Sequence, residues 1–454
     1  MFERILVANR GEIAVRVIRA ARELGIETVA VYSTADRDAL HVRLADEAVC
    51  IGPPAAADSY LRVPSVIAAA VTTGCEAVHP GYGFLAENPF FAHSCADNDL
   101  VFIGPTPDVM RRLGDKAQAK IEMRAAGVPL VPGTEGPATL EEVKLAAHEI
   151  GFPVLLKAAA GGGGRGMRLV TEAGELEDAY SAASAEADAA FGDGSLYLER
   201  AVVPTRHVEI QVLCDSAGGV LTLGERECSI QRRHQKLIEE SPSPALTADT
   251  REEMEAAVER ACREIGYVNA GTFEFILGAE SQPFFIEVNC RLQVEHPVSE
   301  LVTGLDLVRE QIRIAAGERL AITGRAARQG HAIEIRINAE DPTRGFAPAP
   351  GTVTRFRPPL GAGVRTDTGI TEGATIPPYY DSMIAKVIVR DDTRVAAIAR
   401  ALRALGELEV EGIPTTRELA LDVLRSEGFA EGDYSTSYLE EMEDRFPSIS
   451  GVPA

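Results

Sequence analysis

The chain contains 454 residues with 68 acidic and 45 basic side chains, which gives a net charge of −23. A hydrophobic fraction of 46% with 25% charged residues is typical of a globular α/β protein and excludes an intrinsically disordered one. The length predicts roughly three domains of ordinary size. The negative charge disfavours nucleic-acid partners, because phosphodiester backbones would be repelled from most of the surface.

No apolar run in the sequence approaches the length of a membrane span, and the first ten residues, MFERILVANR, lack the basic and apolar regions of a signal peptide. The seven cysteines are scattered and never form a CxxC pair, so we expect reduced thiols and no structural zinc site. These observations predict a cytoplasmic protein without a membrane partner.

Lysine is scarce in this chain, because only six of the 45 basic residues are lysines. On a solvated surface arginine replaces lysine freely, so the remaining lysines should stand mainly where a compact, strongly hydrated charge matters. This scarcity makes every lysine a candidate functional residue. They occupy positions 116, 120, 144, 157, 236 and 386.

Residues 4–34 give an apolar strand, an amphipathic helix and a β-branched strand, which predicts a βαβ unit of a parallel sheet. The strand-to-helix turn at residues 9–12 could hold a phosphate at the helix N-terminus or serve as a plain connection. One further strand precedes the motif HPGYGFLAEN, and another is formed by FIGP. A single basic helix over residues 111–127 closes this first α/β domain.

A Pro-rich break follows and leads into a segment with four consecutive glycines. Residues 152–170 predict two strands joined by this glycine loop, with another strand at residues 195–202. The loop is not a Walker A motif, because Met167 and Arg168 replace the required lysine and hydroxyl residue. Its open backbone could close over a polyphosphate as a lid, or form a mobile hairpin tip, and Lys157 just before it favours phosphate.

Strands at residues 271–277 and 283–291 are predicted to pair as antiparallel neighbours. They carry Glu274 on the first strand, and Glu287 and Asn289 on the second. Two carboxylates and a carboxamide on one sheet face supply the hard oxygen ligands that suit Mg²⁺ or Mn²⁺. Either carboxylate could instead be solvated, but the neighbouring phenylalanines predict burial, where unpaired charges are costly.

The stretch FFIEVNCRLQVEHPVSE places polar residues at every second position from 287 to 295. We expect the strand to continue through this stretch, so that the alternate side chains share one face. Arg291 offers a planar fork for a small oxyanion, and Gln293 offers an oriented donor. Glu295 could act as a general base if neighbouring cations keep it ionised. A single Arg–Glu pair is more often structural, but the whole alternating row indicates a functional site.

A cationic cluster stands out in SIQRRHQKLIEE, residues 229–240, which contains His234 and Lys236. This cluster could be a solvated basic loop or an anion-binding surface. The later segment IEIRINAED also alternates, and it places Arg336 on a polar face opposite three isoleucines. On residue type alone, His207 is best interpreted as a strand-end histidine.

Together these segments resemble biotin carboxylase, the ATP-grasp subunit of acetyl-CoA and related acyl-CoA carboxylases. The resemblance covers residues 1–445 and is carried by ILVANRGEIAVRVIRA, HPGYGFLAEN, GGGGRGM, CSIQRRHQK, GTFEF, IEVNCRLQVEHPVSE and PPYYDSMIAK. It implies an α/β chain with an ATP-grasp fold, an N-terminal parallel α/β domain and a C-terminal mixed α+β domain. The implied ranges are residues 1–113 for the N-terminal domain, 114–330 for the ATP-grasp domain with its mobile glycine-rich lid at 131–203, and 331–446 for the C-terminal domain.

The resemblance also implies a role for each candidate residue. ATP would be bound by Lys116 and Lys157, by the lid residues Gly161, Gly162, Gly163, Gly164 and Gly166, by the hinge residues Glu199, Arg200, Ala201 and Val202, and by His207, Gln231 and His234. Two Mg²⁺ or Mn²⁺ ions would be held by Glu274, Glu287 and Asn289. Bicarbonate and biotin would be bound by Lys236, Arg291, Gln293, Arg336 and the backbone of Val294. Catalysis would rest on Glu295 as general base, aided by Lys236 and Arg291, with Arg336 stabilising a biotin enolate.

The implied reaction is the ATP-dependent carboxylation of biotin by bicarbonate through carboxyphosphate, the first half-reaction of acetyl-CoA carboxylase in fatty acid synthesis. The implied partners are a biotin carboxyl carrier protein, a second copy of this chain and a carboxyltransferase. Lys386 lacks the flanking methionines of a biotinylated lysine, so we expect the carrier to be another polypeptide. Arg19, Glu23 and Asp381 are the expected interface residues of the homodimer.

Two other functions fit parts of the pattern. Another ATP-grasp ligase, such as a carbamoyl-phosphate-type enzyme, would also activate bicarbonate, but RRHQK and RLQVEHP favour the biotin branch. A nucleotide-binding regulatory module that has lost turnover should have lost some of the four residues Glu274, Glu287, Arg291 and Glu295. All four are present.

Overall fold

The computed structural model describes residues 1–159, 166–278, 281–442, 445, 446 and 449 of the chain. Four of the site residues predicted from the sequence, Gly161, Gly162, Gly163 and Gly164, lie outside the described residues. Among the residues described, no helix has both the length and the apolar character needed to span a bilayer.

The first part of the chain forms a parallel sheet of five strands in the order β3-β2-β1-β4-β5. The prediction of a βαβ unit is confirmed, since Ile5 and Val7 pack against the first helix while Leu6 packs on the opposite sheet face. The elements are β1 (Arg4–Val7), α1 (Gly11–Glu23), β2 (Glu27–Ser33), α2 (Leu40–Leu44), β3 (Glu47–Gly52), α3 (Val63–Thr72), β4 (Ala77–His79), α4 (Pro89–Ala96), β5 (Val101–Phe102) and α5 (Pro107–Gly114).

The prediction of one basic helix over residues 111–127 is wrong, because two helices occupy this segment. Helix α5 ends at Gly114, and α6 (Lys116–Ala125) begins two residues later. Between them Asp115 is extended, and its carboxylate accepts hydrogen bonds from two backbone N–H groups of α6. This N-cap stops the first helix and starts the second. It also places Lys116 at the first position of α6.

The strands before and after the glycine-rich residues belong to a small three-stranded antiparallel sheet with the order β7-β6-β8. This confirms the three strands predicted around the glycine loop. Two helices cover one face of the sheet and bury its aliphatic residues. The elements are α7 (Leu140–Ile150), β6 (Val154–Ala158), β7 (Met167–Val170), α8 (Leu176–Phe191) and β8 (Leu196–Arg200).

The largest sheet contains nine strands, eight of them in the order β13-β12-β9-β10-β11-β15-β22-β20, with β14 paired to β10. It is continuous across the predicted boundary at residue 330, because β11 pairs with β15 in antiparallel register. Its elements up to residue 325 are β9 (Arg206–Cys214), β10 (Val220–Arg232), β11 (Gln235–Ser241), α9 (Ala248–Ile265), β12 (Asn269–Leu277), β13 (Pro283–Asn289), α10 (His296–Thr303), α11 (Leu307–Ala315) and β14 (Gly324–Arg325).

The last part of the chain is mixed, with short strand pairs and helices packed on the end of the large sheet. Its strands are β15 (His331–Asn338), β16 (Glu340–Asp341), β17 (Ala347–Pro348), β18 (Gly351–Thr352), β19 (Arg355–Arg357), β20 (Val364–Thr368), β21 (Thr375–Ile376), β22 (Met383–Asp391) and β23 (Glu409–Glu411). Its helices are α12 (Arg394–Glu407), α13 (Arg417–Arg425), α14 (Glu427–Glu431) and α15 (Tyr438–Glu441).

Candidate active site

A cavity of about 940 Å³ lies between the small sheet, the large sheet and the first strands of the last part of the chain. Most of the site residues predicted from the sequence line this cavity. They are Lys116, Lys157, Glu199, Arg200, Val202, His207, Gln231, His234, Lys236, Glu274, Glu287, Asn289, Arg291, Gln293, Val294, Glu295 and Arg336. Ala201 and Gly166 are not among the lining residues, and Asp381, predicted at the dimer interface, is one of them.

At one end of the cavity, two lysines converge on one buried carboxylate. Glu199 of β8 forms ion pairs with Lys157 of β6 and with Lys120 of α6. Burial raises the pKa of Glu199, but the charges of Lys157 and Lys120 outweigh it and hold the pKa below its ordinary value. Lys116 lies nearby, 3.7 Å from Glu287. Three clustered ammonium groups in an acidic protein make this end suitable for a polyphosphate.

Glu274 and Glu287 are direct cross-strand partners in β12 and β13, as predicted. Burial raises the pKa of Glu287, and the charge of Glu274 raises it further. Asn289 adds a carboxamide that donates to Glu274 at 2.8 Å. This repulsion between two neighbouring carboxylates is what a divalent cation would relieve, and the oxygen-rich set suits Mg²⁺. The residues present therefore fit a metal ion.

A second group of ligand-type atoms, from His207, Glu209 and Glu274, also lies within 4.8 Å of one another. This position already has a cation, since the Lys236 ammonium lies 2.6 Å from Glu209 and 3.2 Å from Glu274. A divalent ion there would be repelled by the lysine.

The prediction that one strand carries the whole polar row is wrong beyond Asn289, where β13 ends. Residues 291–295 form an irregular loop that runs into α10, a helix with Pro297 in its first turn. The loop keeps the alternation, because Leu292 is buried in the apolar core while Arg291, Gln293 and Glu295 line the cavity. The polar residues therefore meet as predicted, although on a loop.

Glu87, in the motif HPGYGFLAEN, fixes the first half of this loop. Its carboxylate accepts hydrogen bonds from Arg291 Nε at 2.7 Å and from the backbone N–H of Cys290 at 2.9 Å. Arg291 also donates to Asn289 at 2.9 Å and to Gln293 at 2.8 Å. The guanidinium group is thus held in one orientation at the cavity wall.

Glu295 occupies the centre of a buried charge network. Its carboxylate accepts from Lys236 at 2.6 Å and from Arg336 at 3.0 Å. Burial raises the pKa of Glu295, but Lys236, Arg336 and Arg226 overcome this effect and hold the pKa well below its ordinary value. Glu295 is therefore ionised at neutral pH, which a general base requires.

A tight hairpin between β10 and β11 places Lys236 in this network. The two turn residues, Arg233 and His234, have φ values of 48° and 65°, so the turn matches the twist of the strands without glycine. Burial lowers the pKa of Lys236, whereas Glu209, Glu274 and Glu295 hold it well above its ordinary value. Lys236 is therefore a permanent cation.

Four residues to which the sequence assigned no role contact the predicted ones directly, and a fifth, Arg226, is connected to them through Glu209. Lys120 was already singled out by the scarcity of lysine, and Glu87 lies in a quoted motif, so these two carried a signal. The other three are buried charges on strands, where alternation alone did not distinguish them from solvated residues. The five are Glu87, Lys120, Glu209, Arg226 and Glu239.

The arrangement defines the class of protein. A small antiparallel sheet faces a larger antiparallel sheet across a nucleotide-sized cavity, with Lys157 on the first sheet and the paired carboxylates Glu274 and Glu287 on the second. This is the ATP-grasp arrangement. The predicted fold class is confirmed by solved structures that share the fold.

Three family models match the chain: the biotin carboxylase N-terminal domain over residues 1–110, the ATP-binding domain of the carbamoyl-phosphate synthase L chain over residues 115–323, and the biotin carboxylase C-terminal domain over residues 334–441. A biotin carboxylase of Nostoc sp. is 54% identical over 97% of this chain and 99% of its own. One of the pyruvate carboxylase subunits of Methanothermobacter thermautotrophicus is 50% identical over 97% of this chain and 90% of its own.

Among solved structures, the biotin carboxylase domain dimer of Hydrogenobacter thermophilus 2-oxoglutarate carboxylase is 49% identical, with a TM-score of 0.93 over 98% of this chain and 99% of that one. That protein was crystallised with MgADP, ADP and bicarbonate. The chain belongs to the biotin carboxylase family, and it is accordingly a ligase.

Proposed function

We propose that the chain uses ATP and bicarbonate to carboxylate biotin, as the biotin carboxylase component of an acyl-CoA carboxylase. The observation that carries the proposal is the position of Glu295, which lies between Lys236 at 2.6 Å and Arg336 at 3.0 Å. The same cavity wall holds Glu274 and Glu287. An ionised base beside anion-binding cations and a nucleotide-sized cavity is what bicarbonate activation requires.

ATP would lie with its phosphates against Lys116, Lys157 and the glycine-rich residues 161–166, and with its base near the segment of residues 199–202. His207, Gln231 and His234 would line the nucleotide site. This orientation is supported by the cluster of ammonium groups around Glu199 and by the MgADP found in the Hydrogenobacter relative. Two Mg²⁺ or Mn²⁺ ions held by Glu274, Glu287 and Asn289 would neutralise charge on the phosphates.

In the first step, bicarbonate would bind to Arg291, Gln293, Lys236 and the backbone of Val294. Glu295 would remove its proton, and a bicarbonate oxygen would attack the γ-phosphorus, so that the bond to ADP breaks and carboxyphosphate forms. Bound bicarbonate would share the cations that depress the pKa of Glu295, and this sharing would restore basicity to the carboxylate. Phosphoryl transfer needs mainly positioning and charge neutralisation, which this set of fixed cations supplies.

In the second step, carboxyphosphate would split into CO₂ and phosphate beside biotin. Phosphate would take the N1 proton of biotin, and the resulting enolate would attack CO₂ to give carboxybiotin. Arg336 is suited to stabilise the enolate oxygen, because Glu239 at 2.6 Å and Glu295 at 3.0 Å hold its guanidinium in place.

The acyl-CoA context is proposed to be acetyl-CoA carboxylase and fatty acid synthesis in the cytoplasm, with a biotin carrier and a carboxyltransferase as partners. The family resemblance of the sequence motivates this context, whereas relatives from pyruvate and 2-oxoglutarate carboxylases represent the alternatives. A homodimer is proposed by analogy with the Hydrogenobacter dimer, with the exposed Arg19 and Glu23 of α1 at its interface. The domain ranges 1–113, 114–330 and 331–446 are likewise proposed.

ATP hydrolysis by the purified chain tests the proposed function. We expect turnover only when bicarbonate and free biotin are both present, with carboxybiotin as product. Turnover without biotin would favour a carbamoyl-phosphate-type ligase, whose ATP-binding domain model matches residues 115–323. ATP binding without any turnover would favour a regulatory module.

A further inference from the structure

Lys386 is a buried lysine that the proposed mechanism does not use. It lies on β22 next to Arg336 in the antiparallel register of the large sheet, and its side chain has no exposed surface. Complete burial excludes it as an attachment site for biotin. Burial lowers the pKa of Lys386, but Glu12, Glu334 and Asp367 outweigh that effect and raise the pKa above its ordinary value. The side chain is therefore a buried ammonium group.

The Lys386 ammonium makes two contacts that link three parts of the fold. It forms an ion pair with Glu12 of α1 at 3.0 Å. It also donates a hydrogen bond of 2.7 Å to the backbone carbonyl of Val294, in the loop that carries the predicted bicarbonate-binding residues. A buried ammonium held by a carboxylate forms a strong, charge-assisted hydrogen bond with such a carbonyl.

The peptide group before Val294 is also held by a buried side chain. His296 Nδ1 contacts the Gln293 carbonyl at 2.8 Å, and because a carbonyl can only accept, Nδ1 carries the proton. Burial and the charges of Lys386 and Arg16 hold the pKa of His296 well below its ordinary value, so the ring is neutral. Two successive carbonyls, those of Gln293 and Val294, are thus each fixed by a buried side chain.

Neither Lys386 nor His296 lines the cavity, whereas Gln293, Val294 and Glu295 do. In a trans peptide the N–H group points opposite to the carbonyl. When the two carbonyls are drawn toward Lys386 and His296, the N–H groups of Val294 and Glu295 turn toward the cavity wall. Because the peptide group between Val294 and Glu295 is held in place, the direction in which the Glu295 side chain leaves the backbone is also fixed.

We infer that Lys386 is a positioning residue for bicarbonate, and that with His296 it holds the two peptide groups flanking Val294 in the orientation that anion binding requires. The inference rests on the proposed function, because it concerns the same bicarbonate site. It assigns a role to a lysine that lies outside the cavity.

Steady-state kinetics of Lys386→Met and Lys386→Arg test this role. We expect Lys386→Met to raise the KM for bicarbonate about tenfold to a hundredfold, the range for loss of a buried charge-assisted hydrogen bond. The KM for ATP should change less than twofold. Lys386→Arg keeps a cationic donor and should recover much of the affinity for bicarbonate. Lys144→Met is the matched control, because Lys144 of α7 forms ion pairs with the exposed Glu141 and Glu177.

His296 gives an independent test if Lys386→Met does not fold. We expect His296→Ala to raise the KM for bicarbonate selectively, and His296→Asn to restore it, because the Asn amide can donate from nearly the position of Nδ1. Equal increases in the KM for ATP and for bicarbonate, or an unchanged KM for bicarbonate in folded variants, would overturn the inference. A wild-type chain without bicarbonate-dependent turnover would instead contradict the proposed function.

Discussion

Arg336 and Glu295 form an ion pair of 3.0 Å in the wall of the cavity, although 41 positions separate them in the chain. Arg336 belongs to a central strand of the large sheet, and Glu295 to the loop before α10. The pair joins the proposed base to the proposed enolate-binding group. Their proximity would place the proposed proton removal and the proposed carboxylation of biotin in one site.

Glu295→Gln should abolish coupled turnover while ATP binding survives. The amide has nearly the shape of the carboxylate but cannot accept a proton at neutral pH, so we expect kcat to fall by about 10²- to 10⁴-fold. Bicarbonate- and biotin-dependent ADP release measures the rate, and titration calorimetry measures the affinity for ATP. Retention of more than a tenth of the wild-type kcat would exclude Glu295 as the base.

Glu287→Gln should weaken the metal dependence of the reaction. One of the two adjacent carboxylates becomes neutral, so we expect the half-saturating Mg²⁺ concentration to rise about tenfold or more. Activity titrated with Mg²⁺ at saturating ATP gives this number. Glu141→Gln removes an exposed carboxylate from α7 and is the matched control, since its ion pair with Lys144 is exposed to solvent. Equal responses of the two variants would argue against a metal ion at Glu287.

Glu199→Gln should shift the pH dependence of ATP binding. Burial lowers the pKa of Lys120 and Glu199 partly offsets this, so loss of the carboxylate lowers the pKa further. Lys120 would then lose its proton at a lower pH, and we expect the alkaline loss of ATP affinity to begin at a lower pH than in the wild type. Calorimetric titrations between pH 7 and 10 measure the shift. Glu177→Gln, which removes an exposed partner of Lys144 at 3.0 Å, should show no shift.

Glu239→Gln should change how stability depends on pH. Burial raises the pKa of Glu239, Arg336 lowers it and Glu295 raises it again, with a result of about 7. The folded chain therefore binds this proton more tightly than the unfolded chain, whose carboxyl titrates near 4.5, so the wild type loses stability as pH rises from 4.5 to 7. The loss amounts to at most about 3 kcal/mol.

The free energy of unfolding of wild type and Glu239→Gln, measured in denaturant at several pH values, checks this prediction. The variant lacks the titrating group. We therefore expect its free energy of unfolding to rise relative to that of the wild type between pH 4.5 and pH 7. Other carboxylates titrate in both proteins and cancel in the difference. If the difference in the free energy of unfolding stays constant, or if the wild type gains stability relative to the variant, the assigned pKa is contradicted.

The amino-acid composition alone indicated most of the lysines at the site. Lys116, Lys120, Lys157 and Lys236 line the cavity, and Lys386 contacts the carbonyl of a residue that does. The sequence could predict that these lysines matter, because an Arg-rich chain keeps lysine mainly where a compact charge is required. Lys144, which forms ion pairs with the exposed Glu141 and Glu177, is the exception. It could not pair Lys120 with Glu199, since α6 and β8 meet only through the fold of the small sheet.

For the polar row from Glu287 to Glu295, the sequence predicted the shared surface but not the secondary structure. Alternation predicted which side chains share a surface, and they do line one cavity. The same alternation is compatible with a strand or with an extended loop, so it could not predict that β13 ends at Asn289. Side chains on alternate sides of any extended backbone diverge in the same way, whether or not the backbone pairs in a sheet.

By itself, the sequence indicated the family, the βαβ unit, the paired strands and most of the predicted residues that line the cavity, because periodicity and motif spacing are local properties of the chain. Only the tertiary structure decided which buried charges balance one another around Glu295. Glu209, Arg226 and Lys386 reach the site from separate strands, and the interaction of buried charges depends on distances that long-range packing sets.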